Sequence, residues 1–497
     1  MAPSSRAISL SLVCLAAVGS SMARAQSNDA DVARVVAAML GNTPMIADLQ
    51  QLTDVFGGRA TGSDANRRAV EWAIARFQAA GVDARTEPFT MPGLWLERSA
   101  MATVRGAALS FPARIAALPF SAGTTAAGTS APLLDAGRGD SLGFAGLGDR
   151  AKGAWVLIEQ DELKDIDGLF REYAESAQIE RRAWASGALG VVYMGSRPNS
   201  LLYRHNMNLG FKNRDHFGVV MERDAAQRAL RLLRRGTPLT LNAVLDLDRG
   251  PAYQSHNVIG EIRGSTRPDE IVVIGAHFDS WDLGSGALDN GANAMMVLDI
   301  ARQIKRLGIR PSRTIRFGLW NGEEQGIIGS MGYTKTHAAE LDKHVMTTSI
   351  DIGTGRIIGF FTGGRPEILP GVERALDPVA GLGPFTQVDI PIVGTDNFDF
   401  MLEGVAHLVA NQEAANYGPN YHARSDEFGQ ANQHQLRLNA AILAAMTLRF
   451  AEMPVTWGRQ SRADIERLVA TTDLRAQMEQ FGLWDDWTSG VRGRKTP

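Results

Sequence analysis

The chain has 497 residues, 44% hydrophobic and 21% charged, with a formal net charge of −3. That length holds two domains, or one large catalytic domain carrying an insertion, and the composition excludes wholesale disorder. The near-neutral charge gives no basis for a nucleic-acid or anionic-membrane partner.

At the N-terminus Arg6 precedes an apolar run from Ala7 to Gly19, and Ala23-Arg24-Ala25 follows. This is the charged region, apolar core and cleavage site of a secretory signal. Cleavage is expected before Gln26, so residues 1–25 are read as a signal peptide and the mature protein as secreted or periplasmic. The run is too short to cross a bilayer, so no membrane association is expected once the signal is removed. The only cysteine, Cys14, lies inside it. The mature chain therefore has neither disulfides nor thiolate ligands, and any metal must be held by His and carboxylates.

Residues 26–98 read as the N-terminal part of the main domain. Short helical patterns cover Asp29–Met39 and Met45–Phe56, and a clearer amphipathic helix covers Asp64–Ala80, with Ala69, Trp72, Ala73 and Phe77 near one side. Val82–Phe89 reads as an edge strand, ended by Pro92-Gly93. Composition shifts at about Ser99. From there to about Gly250, short β-like runs (Trp155–Glu159, Leu189–Met194, Leu239–Leu245) alternate with Gly-rich loops and two helical stretches, Glu172–Ala185 and Asp224–Arg235. We read residues 99–250 as a mostly-β module inserted into an α/β domain that resumes over 251–455.

That second part alternates regularly: strand Ile271–Ala276, helix Asn290–Leu307 with Asp289 as its expected N-cap, strand Thr314–Leu319, helix Ile328–Ala338, strand Val345–Ile350. Later come helices Pro366–Leu376 and Asn397–Leu402, strand Ala406–Ala410 and the long apolar helix Gln433–Ala451. The pattern predicts a three-layer αβα arrangement around a sheet with mostly parallel core strands. Residues 456–497 read as a charged C-terminal helix and a frayed tail.

Each regular strand delivers chemistry just past its end, where ligand sites of open α/β sheets lie. Ile271–Ala276 delivers His277 and Asp279, with Asp289 beyond a Gly-rich loop. Thr314–Leu319 is followed by Glu323-Glu324 between Gly322 and Gly326, Val345–Ile350 by Asp351, and Ala406–Ala410 by a loop ending in Tyr421-His422 with Asp426 beyond. His277, His422, Asp289, Glu324 and Asp351 make two imidazoles and three carboxylates. That set suits two zinc ions (2 Zn2+) about 3.5–4 Å apart, bridged by a carboxylate and a water, with Glu323 free to take a proton.

The pieces HFDSWDLGSGALDNG, RTIRFGLWNGEEQGIIGS, SIDIGTG and YHARSDEF resemble the co-catalytic zinc exopeptidases, a family that includes bacterial leucyl aminopeptidases and glutamate carboxypeptidases. The likeness spans roughly residues 45 to 452, and GAWVLIE and ASGALGVVYMG give the inserted module the look of a protease-associated domain. The resemblance implies that Asp289 bridges both metals. It also implies that His277 and Asp351 complete one site, Glu324 and His422 the other, and that Glu323 is the general base. Asp279 would accept a hydrogen bond from His277 and fix its tautomer, and Asp426 would do the same beside His422. Asn290 and Tyr421 depart from the family pattern, at positions where an Asp and a second His occur.

The function so implied is a secreted metallo-exopeptidase acting on unblocked dipeptides and short peptides, as a homodimer. An aminopeptidase with the same metal core is the alternative, and a non-catalytic binding protein on this fold a further one. Arg365, Thr395, Asp396 and Asn397 are candidates for gripping substrate termini. Trp281 either lines the pocket or covers its loop. His407 is expected in the core, and His205, His216, His256, His337, His344 and His434 at the surface.

Overall fold

The structure, a computed structural model, describes residues 29–205 and 214–495; the expected secretory signal and Cys14 lie outside them. The chain opens on helices over 29–40, Met45–Gln51 and Asp64–Ala79, the last capped by the Ser63 side chain. Strand β1 (Asp83–Met91) then forms the edge of a seven-stranded sheet.

Eight strands follow before the chain returns: β2 (Leu94–Gly106), β3 (Leu109–Ala113), β4 (Ile115–Ala117), β5 (Thr129–Asp135), β6 (Trp155–Ile158), β7 (Gly190–Met194), β8 (Phe217–Met221) and β9 (Leu239–Gly250). They form a second sheet in the order β3-β2-β9-β5-β6-β7-β8-β4, parallel from β5 to β8 and antiparallel elsewhere. Helix Arg223–Arg234 packs on one face and helix Ile166–Ala185 on the other. The ladder of β2 with β9 begins at Leu94↔Gly250, so the compositional shift at Ser99 falls inside a strand, at the bulge between Glu97 and Ser99. Composition registered the local irregularity, not the point where the chain enters the sheet.

Strands β10 (Tyr253–Ile262), β11 (Arg267–His277), β12 (Arg313–Trp320), β13 (His344–Ser349), β14 (Ile357–Phe361) and β15 (His407–Gln412) complete the first sheet. Its order is β1-β10-β12-β11-β13-β15-β14. The four central strands are parallel, and the flanking β1, β10 and β14 are antiparallel. Strands β10 and β14 have no counterpart in the sequence reading, which tracked only the parallel alternation.

Alternate residues of β11 divide between two cores, as a strand buried on both faces requires. Val272, Ile274 and Ala276 join the main core under helices Ala292–Arg306 and Gln433–Glu452, and Ile271 and Val273 join Trp320, Tyr333 and Phe400 on the other side. The three-layer α/β architecture is as expected. Met295, Met296, Leu298, Ile300 and Ile304 of helix Ala292–Arg306 are all buried, and burying a side chain of that size stabilises by roughly 1.5–3 kcal/mol.

The C-terminal expectation fails. Residues 462–488 form three helices, Arg462–Thr471, Leu474–Phe481 and Trp484–Thr488, whose Ile465, Val469, Leu474, Met478, Phe481 and Trp487 bury against Phe398, Met401 and Leu402. The outward faces carry ion pairs such as Arg462–Glu466 and Arg475–Glu479, and these charges masked a docking face. Among the described residues no helix is long and apolar enough to cross a membrane.

Candidate metal centre

Strand β11 places His277 as its last residue, buried. The His277 Nδ1–H donates to the Asp279 backbone carbonyl at 3.0 Å, which leaves Nε2 bare and aimed at the rim. The loop beyond is propped by Arg59, whose buried guanidinium donates to the carbonyls of Phe278 (2.6 Å), Ser285 (2.6 Å) and Gly286 (2.9 Å). Burial lowers Arg59 to about 10, against the pull of Asp426 and Asp279, so it stays charged at neutral pH. Gly286 sits at φ +61°, and a Cβ there would lie 2.3 Å from that of Ser280.

Asp289 is not an N-cap. It lies within a turn, Ala287–Gly291, and the regular helix starts at Ala292. The buried N–H groups of this turn need partners, and Asp426 supplies them: Oδ1 accepts from Leu288 N (2.6 Å) and Oδ2 from Asp289 N (3.0 Å). Burial pushes the Asp426 carboxyl up to about 7. Asp426 thus aims Asp289 rather than orienting His422, whose Nδ1 has no hydrogen-bond partner. Asp289 Oδ1 lies 3.1 Å from His277 Nε2, and Oδ2 lies 3.4 Å from His422 Nε2.

Past β12, Asn321 is fixed by Asn66, Asn257 and the His256 carbonyl, and Gly322 turns the chain at φ +74°. The Asp279 carboxylate then holds the turn. It accepts from Thr61 Oγ1 (2.8 Å), Gly322 N (3.0 Å) and Glu323 N (3.4 Å). Its Oδ1 stands 3.6 Å from His277 Nδ1, beside the shorter 3.0 Å bond that the same nitrogen gives to the Asp279 carbonyl. Glu324 accepts from Trp281 N at Oε1 (3.2 Å) and sets Oε2 2.9 Å from His422 Nε2. Glu323 Oε2 stands 4.0 Å from His277 Nε2, and Asp351 Oδ1 stands 3.0 Å from the same nitrogen.

His422 itself is at φ +56°, with its carbonyl held by Arg204 N (3.0 Å) and its ring stacked on Tyr421 at 3.7 Å between centroids. Arg204 and Tyr173, whose hydroxyl meets that of Tyr421 at 2.9 Å, both come from the segment carrying the second sheet. Trp281 is buried edge-on between Trp95 and His422, and lines a small cavity with Asp289, Glu324 and His422.

The six side chains His277, Asp289, Glu323, Glu324, Asp351 and His422 therefore converge from four strand ends. Their charges do not balance within the chain. Burial, reinforced by Asp289, pushes Glu324 well above the carboxylate range, and burial with Asp351 nearby does the same to Glu323. His277 is raised despite burial, because Asp351 and Glu323 outweigh it, whereas burial takes His422 down to about 3. A buried surplus of carboxylates asks for cations. Among the described residues, two groups of donors lie mutually within 4.8 Å: His277, Asp289, Glu324; and His277, Glu323, Asp351. Ligand atoms on arms of 2.0–2.1 Å stand about 3.3 Å apart in a tetrahedron, near the 2.9–3.4 Å separations here, so the residues fit metal ions.

Other expectations are corrected. Arg365 is buried away from the cluster, donating to the carbonyls of Gly404 and Gly458 beside Glu367. Asn397 Nδ2 donates to the Ile392 carbonyl. Asp396 does face the cluster, within electrostatic reach of His277 and Asp351, and burial pushes its carboxyl well above the usual range. His205 and His344 are buried, not at the surface, bonded to Tyr203 and Tyr333 respectively. His407 is a core histidine, as expected. Arg59 and Thr61 were missed; the Gly57-Gly58 before them was the one cue.

Residues 257–447 match the model of peptidase family M28. Carboxypeptidase Q of Xenopus laevis is 30% identical over 231 residues, 46% of this chain and 48% of that protein, and that of Mus musculus is 31% identical over the same shares. The chain spans about half the length of the curated relatives it matches. A peptidase M28 precursor from Shewanella amazonensis superimposes with a TM-score of 0.77 at 26% identity, covering 88% of this chain and 100% of that one. A zinc aminopeptidase from Bacillus subtilis shares the fold, with a TM-score of 0.64 at 20% identity over 81% of this chain and 93% of that one. These matches bear out the family resemblance and the fold class read from the sequence.

Proposed function

We propose that this chain, with residues 257–447 matching peptidase family M28, is a dinuclear zinc metallo-exopeptidase that hydrolyses unblocked dipeptides and short peptides outside the cytoplasm; the match to relatives named carboxypeptidase Q supports the exopeptidase reading. The observation that carries the reading is Asp289, which turns one oxygen to each of two imidazoles at 3.1 and 3.4 Å. It would bridge two ions, with His277 and Asp351 completing one site and Glu324 and His422 the other. When bound, the ions would polarise the scissile carbonyl and bring the pKa of the attacking water to about 7.

Glu323 takes the proton from that water and passes it to the leaving amine. Its lack of a hydrogen-bond tie to either imidazole frees it for this role, while Glu324 is fixed between Trp281 N and His422. Asp279 keeps the turn of both residues in place. The second sheet, whose ladder begins at Leu94 rather than Ser99, is in this reading a protease-associated-like insertion that walls the site through Tyr173, Arg204 and Trp95. The homodimer and the cleaved signal belong to the same proposal.

A second reading, an aminopeptidase with the same core, is favoured by Asp396. A free amine wants a carboxylate beside the metals, and Asp396 is a 1% exposed carboxylate facing the cluster with no cationic side chain paired to it among the described residues. A panel of dipeptides with free ends, acylated N-termini or amidated C-termini decides, read alongside zinc by elemental analysis. Loss of turnover on amidation supports the carboxypeptidase reading, and loss on acylation the aminopeptidase. No turnover of any peptide, or full turnover by metal-free protein, rejects the proposal.

A further inference from the structure

The turn that carries Glu323 is held from two directions, and only one belongs to the strand-end machinery. In front, Asp279 and Thr61 take up the N–H groups of Gly322 and Glu323. Behind, the Glu323 carbonyl accepts from Gly326 N (3.0 Å) and Ile327 N (2.9 Å). That second contact forces an unusual backbone. Ile327 sits at φ +56°, ψ +43°, the left-handed region, which a β-branched residue adopts only under compulsion from its surroundings.

Arg492 bears on the same turn. The Arg492 guanidinium is 1% exposed and spans the two carbonyls of the same turn, Nη2 donating to Gly326 O (2.5 Å) and Nη1 to Ile327 O (3.2 Å). Nη1 also meets Asp399 Oδ2 (2.7 Å) and Nε meets Asp486 Oδ2 (3.1 Å), so the fork is locked. The planar guanidinium presents five N–H donors in a fixed fork and here serves two carbonyls and two carboxylates, one acceptor more than the three donors of an ammonium can reach, and from a single point. The segment is seated by further contacts that do not touch the turn, Arg494 N to Leu402 O (2.9 Å) and Arg494 Nη1 to Gln460 O (2.5 Å).

We propose that Arg492 is a positioning residue for the reaction: through the carbonyls of Gly326 and Ile327 it holds the left-handed turn that aims Glu323 at the attacking water. The inference rests on the reading of Glu323 given above. Arg492 touches neither the ligand set nor the substrate, and Glu324 on the same turn has its own anchor in Trp281 N, which Glu323 lacks, so the loss of Arg492 moves the base and leaves the ligands in place. Displacement of a reacting group by about 1 Å is enough to cost about 10²-fold in rate.

The test compares Arg492→Lys, Arg492→Ala and Arg494→Ala in the full chain, reading kcat, KM and zinc per chain with the best dipeptide of the panel. The expected result is a kcat lowered about 10²-fold in Arg492→Ala and about 10-fold in Arg492→Lys, with KM and zinc content as in the wild type, while Arg494→Ala keeps wild-type kcat. Should Arg492→Ala fail to fold, Arg492→Lys decides alone. Wild-type kcat in Arg492→Lys, loss of zinc in step with activity, or an equal loss in Arg494→Ala overturns the assignment, the last because it would make general docking of the segment responsible. An active wild type with unaffected variants sinks this inference and leaves the proposed function standing, whereas an inactive wild type sinks both.

Discussion

The two sheets solve the same problem in opposite ways. Each has a run of parallel strands with helices on both faces, and each delivers acidic residues to the ends of those strands. In the second sheet the chain supplies its own countercharges. Asp135 and Glu159 pair with Arg234, Asp161 with Arg138, Glu222 with Arg114, and buried Glu172 with Arg197. A cavity of about 520 Å³ there, lined by Asp140, Glu159, Asp161, Glu172, Arg182 and Ser196 among others, is mixed in charge. In the first sheet, among the described residues, Asp289, Glu323, Glu324 and Asp351 pair with imidazoles alone and with no Arg or Lys. Acids at a strand end are therefore not the signature of a metal site. Acids whose direct ion-pair partners are imidazoles alone, with the one nearby guanidinium, Arg59, spent on backbone carbonyls, are what the proposed metal centre rests on.

The largest expected effect breaks the first sheet's side of this contrast. Glu323→Gln keeps the shape of the side chain and removes its basic oxygen, so kcat should fall about 10²–10⁴-fold with zinc retained. Glu324→Gln should instead lose metal, because it removes the carboxylate fixed 2.9 Å from His422 Nε2. Steady-state kinetics with elemental analysis of both variants checks the pair. The reverse pattern would exchange the two roles, in keeping with the nearness of Glu323 to His277 and Asp351.

Next in size is the second sheet's own charge balance. Glu172→Ala leaves the fully buried Arg197 without its carboxylate, and removing one partner of a buried pair costs about 3–5 kcal/mol. Denaturant unfolding should register that loss while zinc stays at the wild-type level. A fall in zinc parallel to the fall in stability would show that the network also holds His422, through Arg197 Nε on the Tyr421 carbonyl.

The smallest effect separates the sheets by acid. His205 of the second sheet's network, and His344 and His407 of the first sheet, are each held down to about 4 by burial. The unfolded chain, with histidines near 6.5, then binds more protons as pH falls, so stability is fully present above 6.5 and drains away through about 4. Between pH 7 and 5 each group contributes a loss on the order of 2 kcal/mol. His205→Gln should remove its share of that slope and leave the other two, as measured by unfolding at both pH values. An unchanged slope would mean that His205 is not buried neutral.

The proposed ligand set was legible because its members follow the ends of parallel strands, directly for His277, Glu323-Glu324 and Asp351 and across a loop for Asp289 and His422. A buried strand announces itself by an apolar run, and parallel packing brings all such ends to one rim whatever the loops between them do. His277, Asp289, Glu323-Glu324, Asp351 and His422 needed nothing more than that rule and residue type. The groups that aim them obey no such rule. Arg59 reaches carbonyls more than 200 residues away, Asp426 turns out to cap the Asp289 turn, Asp279 serves the Glu323 turn more than the imidazole, and Arg492 clamps Gly326 from the far end of the chain. Antiparallel β10 and β14, the start of the second sheet at Leu94 and the apolar side of residues 462–488 were hidden for a related reason. Hydrogen bonds between distant backbone groups leave no period in the sequence. Local pattern decided which atoms this protein brings to its centre, and only the tertiary structure, by satisfying each buried N–H and C=O, decided the directions in which they point.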